Sequence, residues 1–124
     1  MTGPAAEAQL TARCHCGGVT IRLPRKPDYV NECNCSLCAM TGWRGIYFAS
    51  DELVIDGALD SYVRTDIAQP FLRVLRCANC GIATHWEPLA EPPHERMGVN
   101  ARLADPALLH GVEVRQVDGA SWDG

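Results

Sequence analysis

Lysine occurs once, at Lys26, against ten arginines, and phenylalanine only twice. Eight of the 124 residues are aromatic. Leu, Ile, Val and Phe together make up about one residue in five, close to the level at which chains stay disordered. Alanine alone supplies about a quarter of the 47% apolar share. The hydrophobic core must therefore be thin, and 124 residues leave no room for two of them. No run approaches the roughly 18 apolar residues that a membrane span needs. Met1 to Ala8 has neither a basic start nor an apolar stretch, so no secretory leader is expected there and the expected location is cytoplasmic. The formal charge is −4, without the positive excess that phosphate contacts demand, which argues against general nucleic-acid binding. The arginine bias suits bidentate carboxylate contacts, although such a bias is more often a compositional habit.

Cysteine, by contrast, is abundant. Seven fall in three clusters: Cys14-His15-Cys16, Cys33-Asn34-Cys35-Ser36-Leu37-Cys38 and Cys77-Ala78-Asn79-Cys80. An odd number cannot all pair as disulfides, and a reducing compartment disfavours disulfides altogether. Gaps of one and two residues between cysteines read as metal-ligand spacing. A C-x-C or C-x-x-C turn aims two sulfurs at one point, about 2.3 Å from a zinc ion. Gly17 and Gly81 follow two of the clusters, and positive φ at glycine lets such a turn point backbone N–H groups at the thiolates.

The natural partition is four plus three. Cys14, Cys16, Cys77 and Cys80 form a closed four-sulfur zinc site that ties the start of the chain to its later half and reinforces a thin core. Cys33, Cys35 and Cys38 supply three sulfurs on one loop and leave a fourth coordination position open, as sites of chemistry do. Two alternatives remain. An imidazole from His15, His85, His94 or His110 would close the second set as a structural Cys3His centre. Otherwise the triple cluster is a redox-labile thiol group without metal, able to form a Cys35–Cys38 disulfide under oxidation.

The rest of the chain reads as strands. Residues 1–9 form a flexible tail, and residues 10–124 form one zinc-binding domain. Val19, Ile21 and Leu23 alternate with Thr20 and Arg22 in a half-buried strand. Further strands are expected over Tyr29–Glu32, Gly45–Ser50, Glu52–Ile55, Leu59–Thr65, Phe71–Arg76, Ala83–Glu87 and Met97–Ala101, with a last one at Val112, Val114 and Val117. Asp56-Gly57 is a hairpin signal. A helical turn is expected over Cys35–Met40, ended by Gly42. A second short helix is expected over Asp105–Leu109, with Asp105 as cap and Pro106 at the first position. Asp118-Gly119 turns toward Trp122. The fold class is mainly β: small antiparallel sheets pinned by zinc, with few short helical turns.

Four stretches, Cys14 to Val19, Cys33 to Cys38, Cys77 to Gly81 and Val99 to Asp105, give the order C-H-C-G-x-V, C-N-C-S-x-C, C-x-x-C-G and V-N-A-R-L-x-D. The order, with the closing Val117 to Trp122, resembles the glutathione-dependent formaldehyde-activating enzyme family, which includes centromere protein V-like proteins. The resemblance spans about residues 10–122. It implies stacked antiparallel sheets (a β-tent), two zinc ions per chain and the same four-plus-three split, with the active-site zinc on Cys33, Cys35 and Cys38. It also implies a carbon–sulfur lyase type of activity, the formation or cleavage of an adduct between glutathione and formaldehyde. The chain is short for the formaldehyde enzyme and looks closer to a broad bacterial branch, so a thiol resembling glutathione and an aldehyde are the expected partners. A non-catalytic zinc module that binds a protein is the alternative, since no general base beyond His85 is evident.

Three thiolates on one Zn2+ leave a net charge of −1, a poor Lewis acid but a good holder of a substrate thiol, which coordination deprotonates. Thr41 and Trp43 are placed to line a pocket there. His85 is a fourth ligand, a proton shuttle or simply a strand residue. His15, between two ligands, points outward. Arg44, Arg64 and Arg102 are carboxylate binders or surface charges. Trp86 and Trp122 read as core, and Asn100 as a hydrogen-bonding residue of a buried turn.

Overall fold

The computed structural model describes residues 7–121. Most of the expected tail, and Trp122, therefore lie outside the described residues. A 3-10 turn at Glu7–Leu10 leads into ten strands: β1 Thr11–Arg13, β2 Thr20–Arg22, β3 Tyr29–Cys33, β4 Gly45–Phe48, β5 Val54–Asp56, β6 Leu59–Val63, β7 Leu72–Cys77, β8 Ala83–Pro88, β9 Met97–Asn100 and β10 Glu113–Val117. The α-helix α1 spans Ser36–Thr41, with Cys35 as its N-cap and Gly42 closing it in the left-handed conformation. Further 3-10 turns lie at Ser50–Glu52, Ala101–Leu103, Pro106–Leu109 and Gly119–Ser121. Asp105 caps the Pro106–Leu109 turn through Ala107 N–H at 2.9 Å, with Pro106 at its start.

The fold is mainly β. Strands β1, β2 and β5 form an antiparallel sheet of three. The other seven form one sheet in the order β10-β3-β4-β9-β8-β7-β6. Its strands pair antiparallel except β10, which lies parallel to β3 from Glu113 opposite Tyr29 to Val117 opposite Cys33. The alternation of Val112, Val114 and Val117 locates this last strand but carries no information on its direction.

Strands β4 and β6 end earlier than expected, at Phe48 and Val63, and two turns differ from expectation. Ser50–Glu52 is a 3-10 turn, so β5 begins at Val54 rather than Glu52. Asp56-Gly57 does not close a hairpin. The strand before it pairs with β2 and the strand after it with β7, so the turn carries the chain from the small sheet to the large one.

The core lies between the two sheets. Ala12 and Ile21 from the small sheet meet Val30, Ile46, Phe48 and Val99 from the large one, with Leu23, Ala101, Ala104 and Leu108 from the turns. Ile21, Ile46 and Val99 are fully buried. Side chains alternate between faces along a strand. Asn31, next to Val30, and Tyr47, between Ile46 and Phe48, therefore project from the opposite face of the large sheet. That outer face carries the cavity described below.

Candidate functional site

The first sulfur cluster joins the two sheets. Cys14 and Cys16 sit on the turn between β1 and β2, while Cys77 ends β7 and Cys80 lies on the turn that follows it. The two turns are built alike. Gly17 N–H donates to Cys14 O and Gly81 N–H to Cys77 O, both at 3.0 Å, and the two glycines have φ of 78° and 77°. Backbone N–H groups then face sulfur: Gly18 to Cys16 and Val19 to Cys14 at 3.3 Å, Asn79 and Cys80 to Cys77 at 3.4 Å. All four Sγ atoms lie within 4.8 Å of one another. Cys14 Sγ to Cys16 Sγ is 3.7 Å and Cys16 Sγ to Cys77 Sγ is 3.6 Å. A disulfide needs about 2.05 Å. A tetrahedron of sulfurs, each about 2.3 Å from a central zinc, has edges of about 3.8 Å. The observed spacing fits the tetrahedron.

The second cluster is local. Cys33 ends β3, Cys35 caps α1 and Cys38 lies one turn into it, with the three Sγ atoms again within 4.8 Å of one another. Cys35 N–H points at Cys33 Sγ (3.5 Å) and Cys38 N–H at Cys35 Sγ (3.4 Å). Among the described residues no histidine or carboxylate joins either group. Three sulfurs with no fourth protein donor fit a metal centre that has a coordination position left for another molecule.

These sulfurs border a cavity of about 670 Å³ on the outer face of the large sheet. Thr41 and Trp43 line it, as expected from their place after the loop. Two further walls are Tyr47 of β4 with Trp86 of β8, and the segment from Arg64 to Leu72 between β6 and β7.

The profile of the glutathione-dependent formaldehyde-activating enzyme family matches residues 9–113, which include both clusters. The chain belongs to that family. It is also similar to a Rhodobacter sphaeroides protein of known crystal structure, at 28% identity, over 84% of this chain and 98% of that one, with a TM-score of 0.63. A comparison with curated proteins found no match.

In this member of the glutathione-dependent formaldehyde-activating enzyme family the thiols are unequal. Hydrogen bonds from the Asn79 side chain, Gly18 N–H and Cys77 bring the Cys16 thiol down to about 6. Ile82 and Cys16 N–H groups lower Cys80. In the second cluster burial, with Cys35 and Cys33 beside it, pushes the Cys38 thiol up. Burial also acts against ionisation of Cys35, but hydrogen bonds from Cys38 and Cys33 and the nearby Arg64 charge outweigh it and lower that thiol.

The C-terminal segment braces this loop. Asn34 N–H donates to Val117 O (3.1 Å), its side chain donates to Asp118 Oδ1 (2.9 Å), and its Oδ1 accepts from Ala120 N–H (2.8 Å). Gly119 packs so closely that a Cβ there would lie 2.3 Å from Cys33 Sγ. Parallel pairing of β10 with β3 makes this contact, and strand patterning gave no sign of it.

His85 does not join the second cluster. It precedes Trp86 on β8, so the two project from opposite faces. Trp86 faces the cavity, while His85 is 2% exposed within the fold. Thr84 Oγ1 donates to Leu75 O (3.3 Å), which leaves its oxygen to accept from His85 Nδ1–H at 2.8 Å. Burial alone lowers the His85 pKa to about 4. His15 is exposed, as expected; His94 and His110 sit on other loops.

Arg44 pairs with Glu32 at 2.9 Å, and Arg102 donates to Gly42 O. Arg64 is at the cavity, held by Asp66 at 2.9 and 2.7 Å. Asn100 is buried and bonds Ala83 O (2.8 Å) and Arg102 N–H (3.1 Å), as its reading as a turn residue expects. Trp86 is a wall of the cavity rather than core. The missed signal was Gly98 opposite Trp86: a Cβ there would lie 2.0 Å from Trp86 Nε1, so only glycine leaves room for the indole.

Proposed function

We propose that this protein is a zinc-dependent enzyme of the carbon–sulfur lyase type. On this reading it forms or cleaves the adduct of a small thiol with an aldehyde. The observation that carries the reading is the contrast between the clusters. One has four sulfurs; the other has three, beside a cavity large enough for a small-molecule substrate.

Cys14, Cys16, Cys77 and Cys80 would hold a structural zinc, and Cys33, Cys35 and Cys38 a second one. Zinc at the second site would supply one thing: it would keep a substrate thiol ionised at neutral pH. The chain's own residues do the rest. The backbone N–H groups aimed at Cys33 and Cys35 steady the negative charge of the sulfur set. Arg64 places a positive charge next to Cys35 and so limits the net charge of the site. Trp43, Tyr47 and Trp86 exclude water from the side where an aldehyde enters. In the forward direction the thiol sulfur bonds to the aldehyde carbon and the C=O becomes C–OH, with the thiol proton ending on that oxygen. No oxidant or reductant is needed, and the reverse steps break the same carbon–sulfur bond.

Proton NMR tests the reading. Purified protein mixed with formaldehyde and a small thiol should accelerate equilibration of the S-hydroxymethyl adduct, and Cys35→Ser should abolish the acceleration while the fold persists. Full activity in Cys35→Ser would remove the proposal. A protein-binding module would show no acceleration with any thiol.

A further inference from the structure

Resting on that reading, we infer that the thiol substrate is a monocarboxylate with an apolar, aromatic body, and that Arg96 is the residue that selects it. Two arginines border the cavity and they differ. Arg64 already holds Asp66 through two nitrogens. Arg96 has no carboxylate partner among the described residues. Its guanidinium lies 4.0 Å over the Tyr47 ring, and one nitrogen donates to Tyr29 Oη at 3.1 Å. Tyr29 is fixed in turn by Arg115, 3.9 Å over its ring. Stacking orients the guanidinium and leaves most of its donors unused, a state suited to a bidentate carboxylate.

The rest of the cavity has a matching character. No Asp or Glu borders it, so no carboxylate there pairs with a substrate ammonium. Its walls are mainly apolar and aromatic. Phe71, on the rim, is 63% exposed, an arrangement that a covering apolar ligand would relieve. A zwitterionic peptide thiol with two carboxylates and an ammonium would find one available cation and no carboxylate. A monocarboxylate thiol with an aryl body finds Arg96 for its charge, Tyr47 and Trp86 for its ring, and the three-sulfur cluster for its sulfur.

Binding to the zinc-loaded full chain tests this without turnover. The probes are thiol-free: 3-phenylpropanoate, its neutral amide, and S-methylglutathione, followed by tryptophan fluorescence and calorimetry. The acid should bind at least tenfold more tightly than the amide or S-methylglutathione. Arg96→Gln should weaken the acid about tenfold or more while zinc content stays unchanged, and Lys26→Gln, which removes an exposed cation that does not border the cavity, should weaken it less than threefold. Tighter binding of S-methylglutathione, or equal binding of acid and amide, would overturn the inference. The two proposals fail separately. Arg96-dependent binding of the acid without adduct formation from any thiol–aldehyde pair would sink the enzyme reading and leave this one standing. Turnover of glutathione in preference to aryl monocarboxylate thiols would do the reverse.

Discussion

Replacing Cys16 and Cys80 by serine removes one sulfur from each turn of the four-sulfur cluster and leaves two that cannot complete a tetrahedron. The link between Cys16 and Cys77 closes a loop of 61 residues. A cross-link over such a loop removes unfolded-state entropy worth about 4 kcal/mol at 25 °C. Zinc that leaves on unfolding contributes its binding free energy instead, about 10 kcal/mol or more for structural sites, so about 4 kcal/mol is the lower of the two figures. For 124 residues the unfolding entropy is about 0.26 kcal/mol/K, so Tm should fall by about 15 °C or more. Cys16 is exposed, and exchange of thiol for hydroxyl at such a place costs under about 0.5 kcal/mol by itself. The second cluster spans only Cys33 to Cys38, and the same relation gives about 2 kcal/mol, or about 8 °C, for Cys38→Ser. Differential scanning calorimetry, with zinc measured on the same samples, reads both. A fall of less than about 5 °C in the double variant despite loss of its metal would refute the claim that this cluster staples the sheets. So would a larger fall in Cys38→Ser.

Three further outcomes are expected. Gly119→Ala puts a methyl group against Cys33 Sγ, so metal analysis should find the second site depleted and the first retained. Gly98→Ala drives into the Trp86 indole; it should cost about 1–3 kcal/mol and shift the tryptophan emission, read by chemical denaturation and fluorescence. His85 titrates near 4 when folded and near 6.5 when unfolded, so the unfolded chain takes up its proton first as pH falls. Its contribution is present above about pH 6.5 and is lost progressively toward pH 4. The loss is about 3 kcal/mol, and His85→Gln should flatten that part of the stability curve relative to wild type.

Cysteine spacing made the two clusters legible because a short turn fixes where its sulfurs point, whatever the rest of the chain does. Strand positions were legible for a similar reason: the alternation over Val19–Leu23 records which face is buried. What alternation does not record is the partner. The parallel pairing of β10 with β3 joins residues far apart in the chain, Glu113 with Tyr29, and the passage of Asp56-Gly57 between sheets depends on the pairing of Asp56 with Thr20, so no local pattern carries either. The cavity wall was hidden for another reason. Tyr47, Trp86 and Arg96 come from separate segments and meet only through strand register and ring stacking, so no local motif joins them. His85 drew attention by its nearness in sequence to the Cys77 turn, yet the strand's alternation turns it to the face away from the cavity.

Native mass spectrometry of the intact chain tests the central claim most directly. Two zinc ions per chain are predicted, with Cys33→Ser/Cys35→Ser/Cys38→Ser retaining one and Cys14→Ser/Cys16→Ser losing the other. One ion per chain in the unaltered protein, or a triple variant that still carries two, would contradict the division of seven sulfurs into a four-coordinate staple and a three-sulfur reaction centre.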